Sequence, residues 1–477
     1  MKQLDSYPNK WLVFSLVGIG VFMSSLDGSI VNIALPVIMK DLQVPLSTVG
    51  WVMMIYLLTV SSLLLTFGRL SDIKGRRWVY CRGFLIFSLG SLFCGVARSA
   101  IWLIAARSFQ GIGAAMIMAC SPALVVDIFN VSERGKALGM VGTVVAAGLT
   151  MGPALGGLIL NYFSWRVIFY INIPIGIVTT VIAAAILKGG KGDIARAEPF
   201  DWAGAVLLAI CFSALLITMT HIYDWGFYST RILLFMGVSV LSGVWFLRVE
   251  KRINHPIFDP SLLKIRLFIL PSLSGMILFV SLFAMIFLMP FYLVHPSGFS
   301  MDKAGYIMVT PFVFLFFVSP LSGALSDRIG SRLLCTMGMI VITAGLLFLS
   351  RLSPSNSALP IVWRLALVGI GTAIFASPNS SAVMSAVFSE RRGVAAGTVA
   401  TARNLGMVMG VALAELIFSS MFSALSGGHS LKVYKPELEP IFMGAFRYAM
   451  LAGGLVAAIG IIVAFLRGPE QVRFEVG

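Results

Sequence analysis

The chain has 477 residues, of which 58% are hydrophobic and 12% are charged, and its mean hydropathy is +0.95. Soluble domains carry about 25% charged residues, so this composition excludes a soluble globular protein and predicts an all-α polytopic membrane protein. The formal net charge of +15 does not predict nucleic-acid binding, because no basic domain lies outside the apolar segments.

Fourteen apolar runs follow one another along the chain, and a run of about 20 residues crosses the hydrocarbon core of a bilayer as a helix. The first run contains Asp27 and lacks a small-residue cleavage site, so we expect a retained span and not a signal peptide. The predicted spans lie near 12–37, 46–67, 79–97, 101–127, 136–160, 166–187, 202–221, 231–248, 267–294, 304–325, 334–350, 360–386, 394–420 and 443–466.

Most of the 35 Lys and Arg residues fall between spans on the side of the N-terminus, which the positive-inside rule places in the cytoplasm. We therefore predict a multi-pass protein of the plasma (inner) membrane with cytoplasmic N- and C-termini. The five cysteines and four histidines show no metal-ligand spacing, and the ATP-binding pattern GxxxxGK[ST] does not occur. The sequence thus predicts no metal site, no cofactor and no enzyme, and any pumping must use an ion gradient.

Two pairs of segments reveal an internal duplication. GRLSDIKGRR (68–77) and GALSDRIGSR (323–332) share the order Gly-x-Leu-Ser-Asp-x-x-Gly-x-Arg, and SERGKALG (132–139) matches SERRGVAAG (389–397). Matching loops at equal places in two halves are typical of transporters that are built from six-span repeats.

The two copies lie about 255 residues apart, which is more than six spans require. We predict an N-terminal six-helix bundle over 1–190, an inserted pair of membrane helices with its linkers over 191–260, and a C-terminal six-helix bundle over 261–477. The seventh and eighth predicted spans then form the inserted pair.

Four further segments carry a family resemblance. Together with GRLSDIKGRR, these segments resemble motifs of the major facilitator superfamily. They are LDGSIVNIALP (26–36), LIAARSFQGIGAA (103–115), GMVGTVVAAGLTMGPALGG (139–157) and WRVIFYINIPIG (165–176). More narrowly, the chain resembles the fourteen-span drug:proton antiporters of this superfamily. The resemblance covers essentially the whole chain and implies the major facilitator fold, in which two pseudo-symmetric bundles rock around a central site.

In the family that the chain resembles, the loop after the second span takes part in a gate. The resemblance implies that Asp72 and Arg76 form a charge cluster with Asp127, at the cytoplasmic end of the fourth span, and latch the two halves in one state. Asp327 repeats Asp72 in the second half. The alternative is a short cytoplasmic loop whose basic residues only set the topology.

Glycines recur every four residues in the fifth predicted span, where Gly148, Gly152 and Gly156 share one helix face and would let another helix approach closely. Pro153 removes a backbone donor and bends this face. The alternative is ordinary packing of small residues. The full pattern is similar to the antiporter signature of the family and comprises Gly139, Gly148, Gly152, Pro153, Gly156 and Gly157.

Four ionisable residues lie away from the ends of the predicted spans: Asp27, Arg107, Arg403 and Glu415. A charge at mid-bilayer costs about 2.5–3.5 kcal/mol, which indicates a function or a partner. Helical rise places Asp27, Arg107 and Glu415 at a similar depth. We therefore expect a water-reachable cavity in which the two carboxylates bind protons or cations and Arg107 tunes them. The alternatives are a static Asp27–Arg107 ion pair and an interfacial position for Glu415, which stands where the first repeat has Gly157.

Aromatic and methionine side chains in the second, seventh and eighth spans of the two bundles could line a pocket for flat cationic or lipophilic compounds. For each of them, the alternative is ordinary packing or contact with lipid. The candidates are Trp51, Tyr56, Met285, Phe287, Phe291, Tyr292 and Phe312.

Together these features predict a proton-coupled antiporter that exports hydrophobic or cationic small molecules by alternating access, as a monomer in the lipid bilayer and without a nucleic-acid partner. One alternative is a carrier for a defined metabolite such as an amino acid or a siderophore. Another is a non-transporting membrane receptor with the same fold. Displacement of a bound dye by many unrelated cations would favour the drug exporter over the metabolite carrier.

Overall fold

The computed structural model describes residues 10–187, 201–226, 228–253, 260–354, 357–387, 392–429, 431 and 434–468. These residues form α-helices, short 3-10 turns and loops, and they contain no β-strand. Fourteen of the described elements are long and apolar enough to cross a membrane, which confirms the predicted all-α class and the predicted number of spans.

Within the described part of the chain, fifteen α-helices follow one another, and α6 and α7 together form one span over Val167–Ile186. The bounds are α1 Lys10–Leu42, α2 Leu46–Lys74, α3 Arg76–Gly95, α4 Ala100–Ile128, α5 Val131–Tyr162, α6 Val167–Tyr170, α7 Asn172–Ile186, α8 Trp202–Trp225, α9 Thr230–Glu250, α10 Arg266–Val294, α11 Met301–Ile329, α12 Ser331–Leu349, α13 Leu359–Ser385, α14 Arg392–Leu425 and α15 Glu439–Leu466.

The six spans of each half pack in the same pattern. In the N-terminal half, α1 packs against α5, α2 against α4, and α3 against α4 and α7; in the C-terminal half, α10 packs against α14, α11 against α13, and α12 against α13 and α15. At equivalent places in the two halves, a glycine allows two helices to pack closely. A methyl group on Gly148 would lie 2.9 Å from the Phe22 carbonyl oxygen of α1, and one on Gly410 would lie 3.1 Å from Cβ of Phe283 of α10. The duplication in the sequence is therefore also present in the structure.

The two halves meet along two seams, α5 with α11 and α2 with α14, and in a shorter contact between α1 and α10. We call the end of the bundle that holds the turn 43–45 the outer end, following the predicted topology, and the opposite end the inner end. Toward the outer end, the Asn32 amide donates to the Ile286 carbonyl over 2.5 Å, and the Leu46 N–H donates to the Leu431 carbonyl over 3.2 Å. The halves are thus in contact at the outer end.

The inserted helices lie beside one of these seams. Helix α8 packs against α9, α2 and α14, whereas α9 packs against α8 and exposes large apolar side chains such as Leu241 and Trp245. Exposed apolar side chains of this kind are typical of a helix that faces lipid. The predicted linkers over 188–200 and 254–259 lie outside the described residues, so the division of the chain near 190 and 260 stays a prediction.

Asp41 anchors the sixth span to the first at the outer end. Its carboxylate accepts a hydrogen bond from the Trp165 indole over 2.8 Å and one from the Arg166 guanidinium over 3.2 Å. Arg166 also donates to the Ala97 carbonyl over 3.1 Å. The start of the WRVIFYINIPIG segment is therefore fixed, which gives Asn172 a defined depth in the bundle.

Candidate functional site

Asp27 of α1 and Arg107 of α4 form an ion pair inside the N-terminal half. Both side chains are fully buried, and the Arg107 Nη1 atom contacts the Asp27 carboxylate. A buried charge is tolerated when it has a partner and further hydrogen bonds, and both are present here. The structure therefore brings together Asp27, which was predicted to bind protons or cations, and Arg107, which was predicted to tune it.

Two side-chain amides complete the surroundings of the Asp27 carboxylate. Gln110 donates to its Oδ1 atom over 2.9 Å, and Asn172 donates to the same atom over 3.0 Å. Gln110 in turn accepts a bond from Arg107 over 2.7 Å and donates to the Ser91 hydroxyl over 2.8 Å. Asp27 thus accepts bonds from three side chains, which share its charge and fix its orientation.

Other side chains and backbone groups hold Arg107 in place. Its Nε atom donates to the Val52 carbonyl of α2 over 3.2 Å, and its guanidinium carbon lies 4.1 Å from the centre of the Tyr56 ring. The Tyr56 hydroxyl donates to the Ser24 carbonyl of α1 over 3.1 Å. Helices α1, α2, α4 and the sixth span meet at this one ion pair. A change of charge on Asp27 would therefore alter the contacts among four spans.

Gln110 and Asn172 are absent from the predicted site, although two signals point to them. Gln110 lies three residues after Arg107 and so shares its helix face. Asn172 lies at the start of α7, where the helix of the sixth span is interrupted at Ile171. Pro174 lacks the N–H that would bond to the preceding turn, which accounts for the interruption.

The predicted charge cluster is assembled at the inner end. Arg76 forms an ion pair with Asp127, lies 3.6 Å from the Asp72 carboxylate and donates to the Ala123 carbonyl over 2.8 Å. All of these residues belong to the N-terminal half, so the described bonds tie α2 and α3 to the end of α4. The acid that pairs with Arg76 is the predicted partner Asp127, and the latch between the two halves stays a prediction.

The second half carries a different arrangement at the equivalent place. Asp327 is exposed at the inner end of α11, and its role in a gate stays a prediction. The residue that corresponds to Arg76 is Ser331, whose hydroxyl accepts a bond from the buried Arg467 over 3.0 Å. Arg467 also donates to Asn379 over 3.0 Å. A buried arginine bound to neutral side chains thus replaces the partly exposed ion pair of the first half.

We expect Asp127→Asn to slow transport several-fold and Asp72→Asn to slow it less, because Arg76 contacts Asp127 directly and lies 3.6 Å from Asp72. Both carboxylates are partly exposed, so solvent screens these pairs and the fold should be retained. Initial efflux rates from vesicles test this expectation, with size-exclusion profiles as the control for folding. Equal rates for the wild type and Asp127→Asn would contradict a role of the charge cluster in transport and would favour the alternative, in which its basic residues only set the topology.

The glycine face of α5 packs against α1 within the N-terminal half. Methyl groups on Gly148 and Gly156 would lie 2.9 Å from Ser25 Cβ and from Ile30 Cγ1, respectively, and a methyl group on Gly152 would overlap Ser29. Three glycines of the predicted antiporter motif therefore allow close contact inside one half. Pro153 and Gly139 lie in the same helix.

Gly157 faces the opposite half. A methyl group on it would lie 3.0 Å from the Cα atom of Gly305 on α11 and would overlap the Met301 carbonyl. A methyl group on Gly305 would in turn overlap the Pro153 carbonyl. One glycine from each half thus allows the backbones of α5 and α11 to touch at the outer end. Gly305 is absent from the predicted site, because the sequence does not indicate which residue faces Gly157.

Glu415 of α14 is buried, and its carboxylate accepts a hydrogen bond from Ser419 over 3.0 Å. It lines a cavity at the outer end of the seam between α2 and α14. Neither Asp27 nor Arg107 is among the described residues that line this cavity. The structure therefore does not bring the three predicted ionisable residues into one site.

The seven predicted pocket residues do not gather around this cavity. Tyr292 stacks on Phe446 at 5.1 Å and donates to the Ser353 carbonyl inside the C-terminal half. Trp51 lies beside His221 of α8, with 6.1 Å between the ring centres. The other five are buried in the core, namely Tyr56, Met285, Phe287, Phe291 and Phe312. As substrate contacts, all seven stay predictions.

Twelve apolar spans in two structural repeats, two further spans between them in the chain and a buried ion pair between spans are typical of a multi-pass membrane protein of the transporter class. The family model described as Major Facilitator Superfamily matches residues 17–411 and 271–475. The chain belongs to the major facilitator superfamily, a family of transporters and not of enzymes.

Several known proteins are similar to this chain. The riboflavin transporter RibZ of Clostridioides difficile (strain 630) is 34% identical, and the match covers 87% of this chain and 88% of RibZ. The multidrug resistance protein Stp of Mycobacterium tuberculosis (strain ATCC 25618 / H37Rv) is 31% identical, and the match covers 88% of this chain and 78% of Stp. The crystal structure of a bacterial homolog of the human lysosomal transporter Spinster, in an inward-facing and unoccupied conformation, superimposes with a TM-score of 0.67 at 16% identity and covers 97% of both chains. This last likeness concerns the fold alone.

Proposed function

We propose that the protein is a proton-coupled antiporter that exports hydrophobic or cationic small molecules by alternating access. The observation that carries this proposal is the Asp27–Arg107 ion pair, which is fully buried and is bonded to side chains and backbone groups of neighbouring spans. Ionisable residues inside a membrane protein are expensive to bury and often mark ion or proton pathways.

Protonation of Asp27 is the proposed coupling step. A proton on the carboxylate removes the charge that balances Arg107 in a buried site. Movement of Arg107 would then break its contacts with Val52 and Tyr56, which link α4 to α2. Loss of the proton restores the pair. Binding and release of a proton thus shift the equilibrium between two alternative packings of the N-terminal half.

The proposed substrate class rests on Glu415 and on the names of relatives. A cation at 4 Å from a carboxylate gains about 4 kcal/mol at an effective dielectric constant near 20, before desolvation is subtracted. Glu415 provides such a carboxylate in a cavity. The similarity to Stp, which is named a multidrug resistance protein, supports the export of drug-like compounds.

The proposal also includes the arrangement of the protein in the membrane. The two six-helix halves move as units, with α8 and α9 as an inserted pair, and the protein acts as a monomer in the plasma membrane with both termini in the cytoplasm. The equal packing of the two halves supports their movement as units.

A carrier for one metabolite is the second candidate, because the relative with 34% identity is named a riboflavin transporter. Competition with a bound dye separates the two candidates. Displacement of ethidium by many unrelated cations would support the drug exporter. Displacement by a single flat metabolite, with no effect of the cations, would support the metabolite carrier.

Uptake into proteoliposomes with an acidic lumen tests the proposed function. We expect the protein to accumulate ethidium in the lumen, because protons leave as the substrate enters, and we expect a protonophore to stop the accumulation. Uptake that does not respond to the pH gradient would contradict proton coupling.

We expect Glu415→Gln to weaken the export of cations, dications most, and to spare neutral lipophilic compounds. The amide keeps the shape of the side chain and can still bond to Ser419, but it no longer attracts positive charge. Transport of a monocation, a dication and a neutral compound is measured in the same vesicles. Equal losses of transport for all three compounds would indicate that Glu415 takes part in proton coupling. No loss for any of them would show that Glu415 is not part of the substrate site.

A further inference from the structure

A cavity of about 180 Å³ lies at the outer end where α2, α8 and α14 meet. Helix α2 belongs to the N-terminal half, α14 to the C-terminal half and α8 to the inserted pair. The cavity is therefore lined by all three parts of the protein. Its described polar and aromatic side chains are Ser47, Thr220, Glu415, Ser419, Ser423, Phe418 and Phe422.

The internal repeat explains why the cavity lies at this seam. Gly157 occupies the position in α5 that Glu415 occupies in α14, and at Gly157 the backbones of α5 and α11 touch. In α14 a glutamate side chain takes the place of the glycine, so α14 and α2 cannot approach each other as closely at this level. Helix α8 closes the space from the side. The inserted helix is therefore one wall of the cavity that contains Glu415.

Aromatic contacts hold this wall in place. The centre of the His221 ring of α8 lies 6.1 Å from that of Trp51 of α2 and 4.6 Å from that of Trp225 of its own helix. The adjacent Thr220 hydroxyl lies 2.9 Å from the His221 Nδ1 atom. The Trp51–His221 contact thus joins α8 to α2 next to Thr220.

The lining favours a positively charged group. Glu415 supplies a negative charge, and the described lining residues include no Lys, Arg or His. The lining also contains the aromatic rings of Phe418 and Phe422, which stack on each other with 5.9 Å between ring centres, and aromatic rings attract cations. The hydroxyl oxygens of Ser47 and Thr220 are further electron-rich groups. A cation in the cavity would thus meet attractive groups on all three helices.

The volume limits how much of a ligand can enter. Pockets that enclose a drug-sized molecule have volumes of roughly 300–1,000 Å³, and this cavity has about 180 Å³. It can therefore enclose a quaternary ammonium or a similar head group, while the apolar remainder of the ligand lies outside it.

We propose that this cavity binds the cationic head group of amphipathic organic cations, with Glu415 as the counter-charge and Thr220 of the inserted helix as a specificity-determining residue. The proposal deepens the proposed export function and rests on it for the transport of the bound compound. It gives the inserted helix pair a direct part in substrate recognition.

Thiol labelling tests the site without any transport step. In a variant whose five native cysteines are replaced by alanine, Thr220→Cys introduces a thiol at the cavity wall. The purified protein is treated with cationic trimethylammonioethyl methanethiosulfonate or with anionic sulfonatoethyl methanethiosulfonate. Labelling is followed by intact mass, and each rate is divided by the rate of the same reagent with free mercaptoethanol.

Thr218→Cys is the matched control for this experiment. Thr218 is also buried on α8 and also donates to the carbonyl four residues before it, but it is not among the described cavity-lining residues. Ser47→Cys places a thiol in the same cavity from α2 and replaces Thr220→Cys if that variant does not give a monodisperse protein.

We expect the cationic reagent to modify Thr220→Cys at least tenfold faster than the anionic one after this correction, and Thr218→Cys to show no such preference. Glu415→Gln should remove most of the preference. Benzyltrimethylammonium should slow the labelling, and its neutral isostere neopentylbenzene should not. Equal corrected rates, or a preference that survives Glu415→Gln, would overturn the head-group site. Normal charge-selective labelling without export would instead contradict the proposed transport function.

Discussion

Asp27→Asn should abolish proton-driven export. The amide keeps the shape of the carboxyl group but cannot exchange a proton, and it leaves Arg107 buried without its counter-charge. Loss of one partner of a buried ion pair costs about 3–5 kcal/mol, so the variant should also unfold at a lower temperature. We expect its pH-gradient-driven uptake of ethidium in proteoliposomes to fall to the level of protein-free liposomes.

Asp41→Asn is the matched control for this variant. Asp41 also accepts a hydrogen bond from an arginine, Arg166, but it is partly exposed at the outer end of α1. The amide oxygen of Asn can still accept the bonds from Trp165 and Arg166 that anchor the sixth span, so loss of the charge alone should have a small effect. The double variant Asp27→Asn with Arg107→Gln removes both charges and should regain stability without regaining export. Full pH-driven uptake by Asp27→Asn would remove Asp27 from the mechanism.

Gly305→Val should reduce transport at least tenfold by preventing closure of the outer end. A side chain at this position would overlap the Pro153 carbonyl and would lie 3.1 Å from the Cα atom of Gly157 in the opposite half. Backbone atoms cannot move aside as a flexible side chain can, so α5 and α11 would have to separate. The transport rate measures the loss of transport. Labelling of a cysteine at the outer end from outside measures whether that end stays open.

Gly142→Val is the control for Gly305→Val. Gly142 lies on α5, and a methyl group there would meet no atom within 4 Å. Its transport and labelling should match those of the wild type. Gly305→Ala should give a smaller loss than Gly305→Val, because it adds one methyl group. Normal transport by Gly305→Val would show that the Gly157–Gly305 contact is not needed for the transport cycle.

The fold could be predicted from the sequence because a lipid environment restricts the possibilities. Each span must satisfy its own backbone hydrogen bonds, so long apolar runs become helices and their number can be counted. The duplication was visible because the segments that begin at Gly68 and Gly323 keep the same residue order. The relation of α8 to the α2–α14 seam could not be predicted, since spans of similar hydropathy do not indicate their neighbours.

The candidate site could be predicted only in part, for a geometric reason. Helical rise gives the depth of a residue, and it places Asp27, Arg107 and Glu415 at similar levels. Depth does not indicate which neighbouring helix a side chain faces. Asp27 and Arg107 therefore meet inside the N-terminal half, whereas Glu415 lines a cavity at the seam beside α8. Gln110 was missed because neutral amides in a span do not stand out as charges do.

Proton movement in reconstituted liposomes is the most direct test of proton-coupled antiport. The purified protein is placed in liposomes that contain a pH-sensitive dye, with equal pH on both sides, and tetraphenylphosphonium is added outside. Antiport predicts that the lumen becomes more alkaline as the cation enters, and that Asp27→Asn liposomes show no change. Entry of the cation above that into protein-free liposomes but without a change in lumenal pH, or with acidification of the lumen, would contradict antiport.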